Sequence, residues 1–268
     1  MFDFDRELAQ RYGAFASHPS SVAPALVEYY GENPAVEVDR LLDRYATPES
    51  SVLDIGCGAG HILCRLAVRV KAIWGIDLDE ELLNVTLIHG DTADPEKTAL
   101  LPEATFDLAL TRRGPNLSPY LMCTLREGAM VVQELVSNFD GYPLGEIFGR
   151  RPYAPYNYTD QQVILSNYAE QGLFPVSCKE YFYEEYFRDN DHLEQYLIQV
   201  HAMSKNWRLP PKPYVPAIDR AALDLYVRYR TTPKGICVLR QRKIFVLRKT
   251  VVSYYPIDTT PAPSDGNK

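Results

Sequence analysis

The 268-residue chain contains no run of about 18 apolar residues, the length a helix needs to cross a bilayer. Its opening, MFDFDRELAQ, lacks the basic and then apolar layout of a secretory signal. A cytoplasmic protein without membrane contact is therefore expected. Cysteine is scarce and unpaired in pattern: Cys57, Cys64, Cys123, Cys178 and Cys237 form an odd set with no C-x-x-C. That argues against a disulfide framework and against a zinc site. His192 and His201 share one segment with no matching third ligand, so no metal is expected. Unbroken blocks of one charge sign are also absent. The charge is nevertheless uneven. Lys205 to Thr250 carries twelve basic residues against Asp219 and Asp224, leaving sixteen basic and thirty-three acidic residues elsewhere in a chain of net charge −7. Such a basic part suits an anionic substrate or nucleic acid, or equally side chains that dock on the acidic body.

The most informative stretch is VLDIGCGAG, Val52 to Gly60. Val52, Leu53 and Ile55 read as a buried strand, glycines follow at alternate positions, and a helix begins after them. Glycine is needed where the chain turns sharply and where a ligand lies against the main chain. A dinucleotide fingerprint, G-x-G-x-x-G, would place its last glycine at His61. Here Gly56, Gly58 and Gly60 make G-x-G-x-G, with Cys57 inside the loop and Asp54 two residues before the first glycine.

This pattern resembles the first motif of the class I S-adenosylmethionine (SAM) dependent methyltransferases. The resemblance implies that Asp54 and the backbone of Gly56, Cys57, Gly58 and Gly60 hold the methionine end of SAM. GIDLD resembles the second motif: Asp77 ends a strand where an acid takes ribose hydroxyls, and Leu78 is implied on the adenine face. Asp91 in HGDTADP is implied at the adenine amino group with Thr92 nearby; a plain helix cap is the alternative. FDLALTRRGP has the position of the fourth motif, with Thr111 implied beside the cofactor. It lacks the Asn or Asp, Pro-Pro and aromatic of many amino-directed relatives, having Thr111, Arg112, Arg113, Gly114 and Pro115 instead. That departure argues against nucleobase-amine or protein-amide transfer. Arg112 and Arg113 suit a carboxylate or phosphate on the substrate, or bonding within the fold. In REGAMVVQELV, Glu127, Gly128 and Ala129 stand where relatives usually have Pro-Gly-Gly.

The expected fold is α/β, a doubly wound, mostly parallel seven-stranded sheet of the class I methyltransferase type with N-terminal helices and a lid. Residues 1–50 form a helical cap, including an amphipathic helix after Asn33 and Pro34. Residues 51–137 form the SAM-binding core, and 138–187 a tyrosine-rich lid, a helix and the sixth strand. Residues 188–242 form a helical insertion, 243–251 the last strand, and 252–268 a disordered tail. Asp79 to Asn84 is too short for a helical crossover between the second and third strands. Either the two are joined unusually or chain is missing between Glu81 and Asn84.

The expected activity is methyl transfer from SAM to a small aromatic or anionic metabolite enclosed by the lid, with Arg112, Arg113, Tyr153, Tyr156 and Tyr158 as substrate residues. An RNA methyltransferase using the basic C-terminal part, or a SAM-binding protein without turnover, are the alternatives. A proton acceptor, if used, is one of His18, His61, His192, His201, Glu134 or Glu184. The sequence does not choose among them.

Overall fold

The computed structural model describes residues 25–57, 60–77, 86–89, 94–112, 117–136, 140–141, 143–148, 161–200 and 214–250. Its strands are β1 Leu26–Tyr30, β2 Ser51–Ile55, β3 Ala72–Asp77, β4 Thr86–His89, β5 Phe106–Arg112, β6 Leu125–Val136, β7 Leu173–Phe187, β8 Thr231–Thr232 and β9 Gly235–Lys249. The helices are α1 Pro34–Tyr45, α2 His61–Ala67, α3 Pro95–Thr98, α4 Pro119–Cys123, α5 Leu144–Ile147, α6 Gln161–Ala169, α7 Asn190–Val200 and α8 Pro216–Arg230.

One sheet holds every described strand, in the order β1-β7-β9-β6-β5-β2-β3-β4, with β8 paired to β9. The strands from β4 to β6 run parallel. β9 is antiparallel to β6 and β7, and β1 is antiparallel to β7. Seven of these strands are the expected ones. The count is nine because LVEYY, β1, lies inside the segment expected to be helical, and the short β8 adds to the β9 edge. The β-branched and aromatic residues of β1 suit a pleated edge, and the register Leu26↔Tyr186 to Tyr30↔Phe182 ties it to β7.

The last strand begins at Gly235, eight residues before the expected boundary. Arg240, Gln241, Arg242 and Lys243 hide it in sequence, yet all four are buried. β4 and β3 pair from Trp74↔Thr86 to Asp77↔His89, with residues 78–85 between them. The expectation of missing chain at Glu81 to Asn84 falls in that segment, outside the described residues. The lid tyrosines 153, 156 and 158 and the tail 252–268 lie outside them too.

Local sequence explains the helix positions. Asn33 caps α1, its side chain accepting from Ala35 N at 2.9 Å, and Pro34 occupies the first turn. The spacing Val38, Leu41, Leu42 then buries one face against Val52, Leu108 and Val132, alongside Leu63 and Leu66 of α2. α4 and α6 cover the opposite face through Leu121, Met122, Ile164 and Tyr168 on Leu53, Ile55, Val131 and Phe245. β2, between these layers, is buried at all five positions.

β6 ends at Val136, opposite Arg242. β7 and β9 continue from Tyr181↔Arg242 to Phe187↔Ile236, so six further residue pairs carry their ribbon roughly 20 Å beyond the parallel strand ends. A third core forms on this ribbon, where Phe187, Ile236 and Val238 meet Leu144 of α5, Leu193 and Leu197 of α7, and Leu223 and Tyr226 of α8. The edge where ligands bind α/β sheets thus has a built lobe standing over one end.

Candidate active site

Four adjacent strands deliver one row of charged side chains to that edge. Alternation along each strand places Asp77, Asp54, Arg112 and Glu134 on the α1–α2 face. The glycine turn sits above Asp54. Gly56 and Gly60 have φ +71° and +69°, the left-handed region that disfavours a Cβ. Gly56 N donates to Ile76 O at 2.8 Å and Gly60 N to Cys57 O at 3.0 Å, closing the turn before α2. Gly58 lies outside the described residues.

Asp54 is 3% exposed. Burial pushes its carboxyl up to about 7, and the neighbouring charge of Asp77 pushes the same way while Arg112 partly opposes both. On the adjacent strand β5, Thr111 is fully buried, and its Oγ1 has no hydrogen-bond partner among the described residues. Buried polar atoms are ordinarily satisfied. An acid pair beside a glycine-rich turn fits a ligand that brings positive charge and polar groups against the main chain. SAM, with its sulfonium and ammonium, is such a group.

Past Arg112 the row becomes a continuous ion network. Arg112 Nε donates to Glu134 Oε2 at 2.8 Å. Glu134 Oε1 faces Arg242 Nε at 3.8 Å. Arg242 pairs with Asp140, which also receives Gln241 N at 3.0 Å and Arg240 at 3.3 Å. Arg240, 2% exposed, donates from Nε to Glu185 at 2.7 Å and from its remaining nitrogen to the Tyr196 hydroxyl. Burial alone would raise the Asp140 carboxyl, but Arg242 and Arg240 outweigh it and hold the group below its ordinary range. Three guanidiniums thus face three carboxylates.

Asp54, Gly56, Cys57, Gly60, Asp77 and Arg112 come together as one edge, whereas Thr111, one residue before Arg112 on β5, faces the opposite, α4–α6 side. Arg112 is engaged by Glu134 rather than presented alone to a substrate. Leu78, Asp91, Thr92 and Arg113 lie outside the described residues. Asp140, Arg240 and Arg242 have no motif to announce them; the one signal is a polar run inside an otherwise apolar strand. Among the described residues no group of three or more His, Cys, Asp or Glu is arranged to hold a metal ion, and no helix is long and apolar enough to cross a membrane.

The parallel strands with one antiparallel strand inserted beside the sixth, and the acids at successive strand ends, define the class I methyltransferase architecture. Residues 53–133 match the family model described as Methyltransferase domain. Among curated proteins, the ribosomal RNA small subunit methyltransferase A of Bacillus licheniformis is 25% identical over 153 residues, 48% of this chain and 52% of that protein. The chain spans about half the length of the curated relatives it matches. A functionally unknown protein from Deinococcus radiodurans R1 shares the fold at TM-score 0.57 and 17% identity, covering 92% of this chain and all of that one. The [4+2]-cyclase SpnF does so at TM-score 0.51 and 17% identity, covering 92% and 96%. At these identities the two structures establish the fold alone.

Proposed function

We propose that the chain transfers the methyl group of SAM to a small-molecule acceptor held between the glycine edge and the β7–β9 lobe. The acid pair Asp54 and Asp77, beneath the glycine-rich turn, supports SAM as the donor. The bound cofactor supplies an electrophilic methyl carbon on an excellent leaving group, so the protein's part is largely positioning. Asp54 and the turn orient the methionine end, Asp77 the ribose, and the lobe excludes water from the acceptor side.

The observation that carries the substrate class is that five of the twelve basic residues in the C-terminal part are ion-paired within the fold. Arg240 and Arg242 are consumed by Asp140 and Glu185, Lys243 by Glu180, Lys234 by Glu28, and Arg220 by Glu194 and Asp224. Cations already neutralised within the fold contribute little to a phosphate-binding surface. The sequence TRRGP likewise lacks the acceptor motif of many amino-directed relatives. Within the small-molecule class, an aromatic acceptor suits the tyrosine-rich segment 142–158. A second reading, an RNA acceptor, is favoured by the name of the Bacillus relative, and a SAM-binding protein without methyl transfer by the cyclase that shares the fold.

One set of measurements separates these. Calorimetry with S-adenosylhomocysteine is expected to show a single site, and labelled SAM is expected to methylate a compound in a low-molecular-weight extract. RNA is expected to compete only weakly, with a shallow salt dependence. Tight RNA binding with a steep salt slope would favour the RNA reading, and binding of cofactor without any labelled product would favour the non-enzyme.

A further inference from the structure

Arg112 ends β5 one position past the last residue paired to β2, Thr111 opposite Ile55. Asp54 pairs with Leu110, so Arg112 is its diagonal neighbour on the α1–α2 face. One strand spacing and two rises put their Cα atoms roughly 8 Å apart, within reach of two side chains that lean together. Burial and Asp77 raise the Asp54 carboxyl, and Arg112 is the group that opposes them.

The guanidinium is only partly used. Its Nε donates to Glu134 Oε2 at 2.8 Å, and Arg242 stands 3.8 Å from the other oxygen of that carboxylate. The Glu134 side chain is 4% exposed and that of Arg112 24%, so the acid is the fixed member of the pair. The two terminal nitrogens of Arg112 donate to no described residue. Unlike Arg242 Nε, they are not closed off from solvent. A guanidinium keeps its charge at any working pH and is planar. With Nε engaged, the edge made by the two terminal nitrogens is left whole, and two parallel N–H groups on such an edge match a carboxylate.

The neighbouring charges define which carboxylate. An anion that came to Arg112 alone would also face Asp54 and Asp77. A ligand that carries an ammonium beside its carboxylate meets both signs at once, the ammonium on the acid of β2 and the carboxylate on the arginine of β5. The methionine end of SAM has that pair of charges on one carbon. We propose, resting on the SAM reading above, that Arg112 is the carboxylate-binding residue of the cofactor site, held in place by Glu134. Arg112 then serves the methyl donor and does not anchor an anionic acceptor, and Glu134 is a positioning residue for it. The site distinguishes the intact amino acid end of the cofactor from one that has lost its carboxylate.

The test compares two ligands on the full chain by calorimetry at pH 8, where Asp54 is ionised. One is S-adenosylhomocysteine; the other is its decarboxylated analogue, which keeps the adenosine, the thioether and the amine. Wild type is expected to prefer S-adenosylhomocysteine by about 10-fold to 100-fold, the worth of hydrogen bonds between charged groups. Arg112→Gln is expected to bring that preference within about twofold through weaker binding of S-adenosylhomocysteine, with the analogue bound as well as before or better. Retained analogue binding shows that the variant is folded. A crystal structure of wild type with S-adenosylhomocysteine checks the contact without a variant: carboxylate oxygens within hydrogen-bond distance of the terminal nitrogens of Arg112 are expected. If wild type binds neither ligand, the SAM reading fails and takes this proposal with it. If S-adenosylhomocysteine binds with no preference over the analogue, if the preference survives in Arg112→Gln, or if the carboxylate is held elsewhere in the crystal, the assignment of Arg112 is overturned and the SAM reading stands.

Discussion

Replacing Asp54 by asparagine is expected to stabilise the protein without cofactor while weakening its hold on the cofactor. Asp54 has an ordinary pKa of 3.8, raised in the fold to about 7 by burial and by Asp77. The difference corresponds to about 4 kcal/mol between protonated and ionised forms. For an acid raised on folding, the cost is absent below the unfolded pKa, where both states are neutral. It grows as pH climbs from about 4 to about 7 and is complete above that. The amide in the Asp54→Asn variant never ionises, so the variant gains over wild type only at the higher pH. At pH 8 without cofactor, the substitution should raise the melting temperature by up to roughly 8–16 °C, taking ~2–4 °C per kcal/mol for a chain of this size. At pH 4 the two proteins should melt together. Thermal unfolding followed by circular dichroism at both pH values is sufficient. With S-adenosylhomocysteine the order should reverse at pH 8, because the cationic end of the ligand stabilises the carboxylate and not the amide. A variant less stable than wild type by the same amount at both pH values would refute the reasoning, showing that Asp54 is a satisfied structural acid.

Asp77→Ala should weaken S-adenosylhomocysteine binding roughly tenfold to a hundredfold, the worth of hydrogen bonds to a charged group; unchanged affinity by calorimetry would count against the site. Asp140→Ala leaves Arg240 and Arg242 buried without their shared acid and should cost about 3–5 kcal/mol at pH 7 in denaturant unfolding. Since the Asp140 carboxyl is held low in the fold, that loss should be full above the unfolded pKa near 4 and fade as pH falls through the folded value. Gly235→Ala combines φ +125° with a Cβ 2.5 Å from the Phe187 carbonyl oxygen, so a loss of at least about 2 kcal/mol is expected. A melting temperature equal to wild type would show that the ribbon end gives way freely.

The glycine edge is legible in sequence because its signals are local. A strand, its terminal acid and a glycine turn are contiguous, so Asp54, Gly56, Gly60 and Asp77 carry their meaning within a few residues. The ion network beyond Arg112 is not, because its partners are remote. Arg240 finds Glu185 at a separation of 55 residues and Asp140 at 100. Read locally, RQRK looks like a solvated face; only pairing across β6, β7 and the turn at Asp140 makes burial of those charges tolerable. β1 escapes a local reading for a related reason. LVEYY runs directly into the Asn33–Pro34 helix start, and nothing nearby shows that β7 extends far enough to give it an edge. The expected seven-strand core is recovered because hydrophobic period decides strands that are buried on both faces, whereas edge strands depend on the neighbour.

The distribution of charge along the row is uneven. From Arg112 to Glu185 the alternation of three guanidiniums and three carboxylates is balanced, and each member is held by the next. Toward β3 the row ends in two acids, and burial, with the charge of Asp77 adding to it, raises the Asp54 carboxyl. A ligand with net positive charge is drawn to the acidic end, and the balanced end offers no net field to attract or repel a second ligand. Selection there falls to hydrogen bonds and shape.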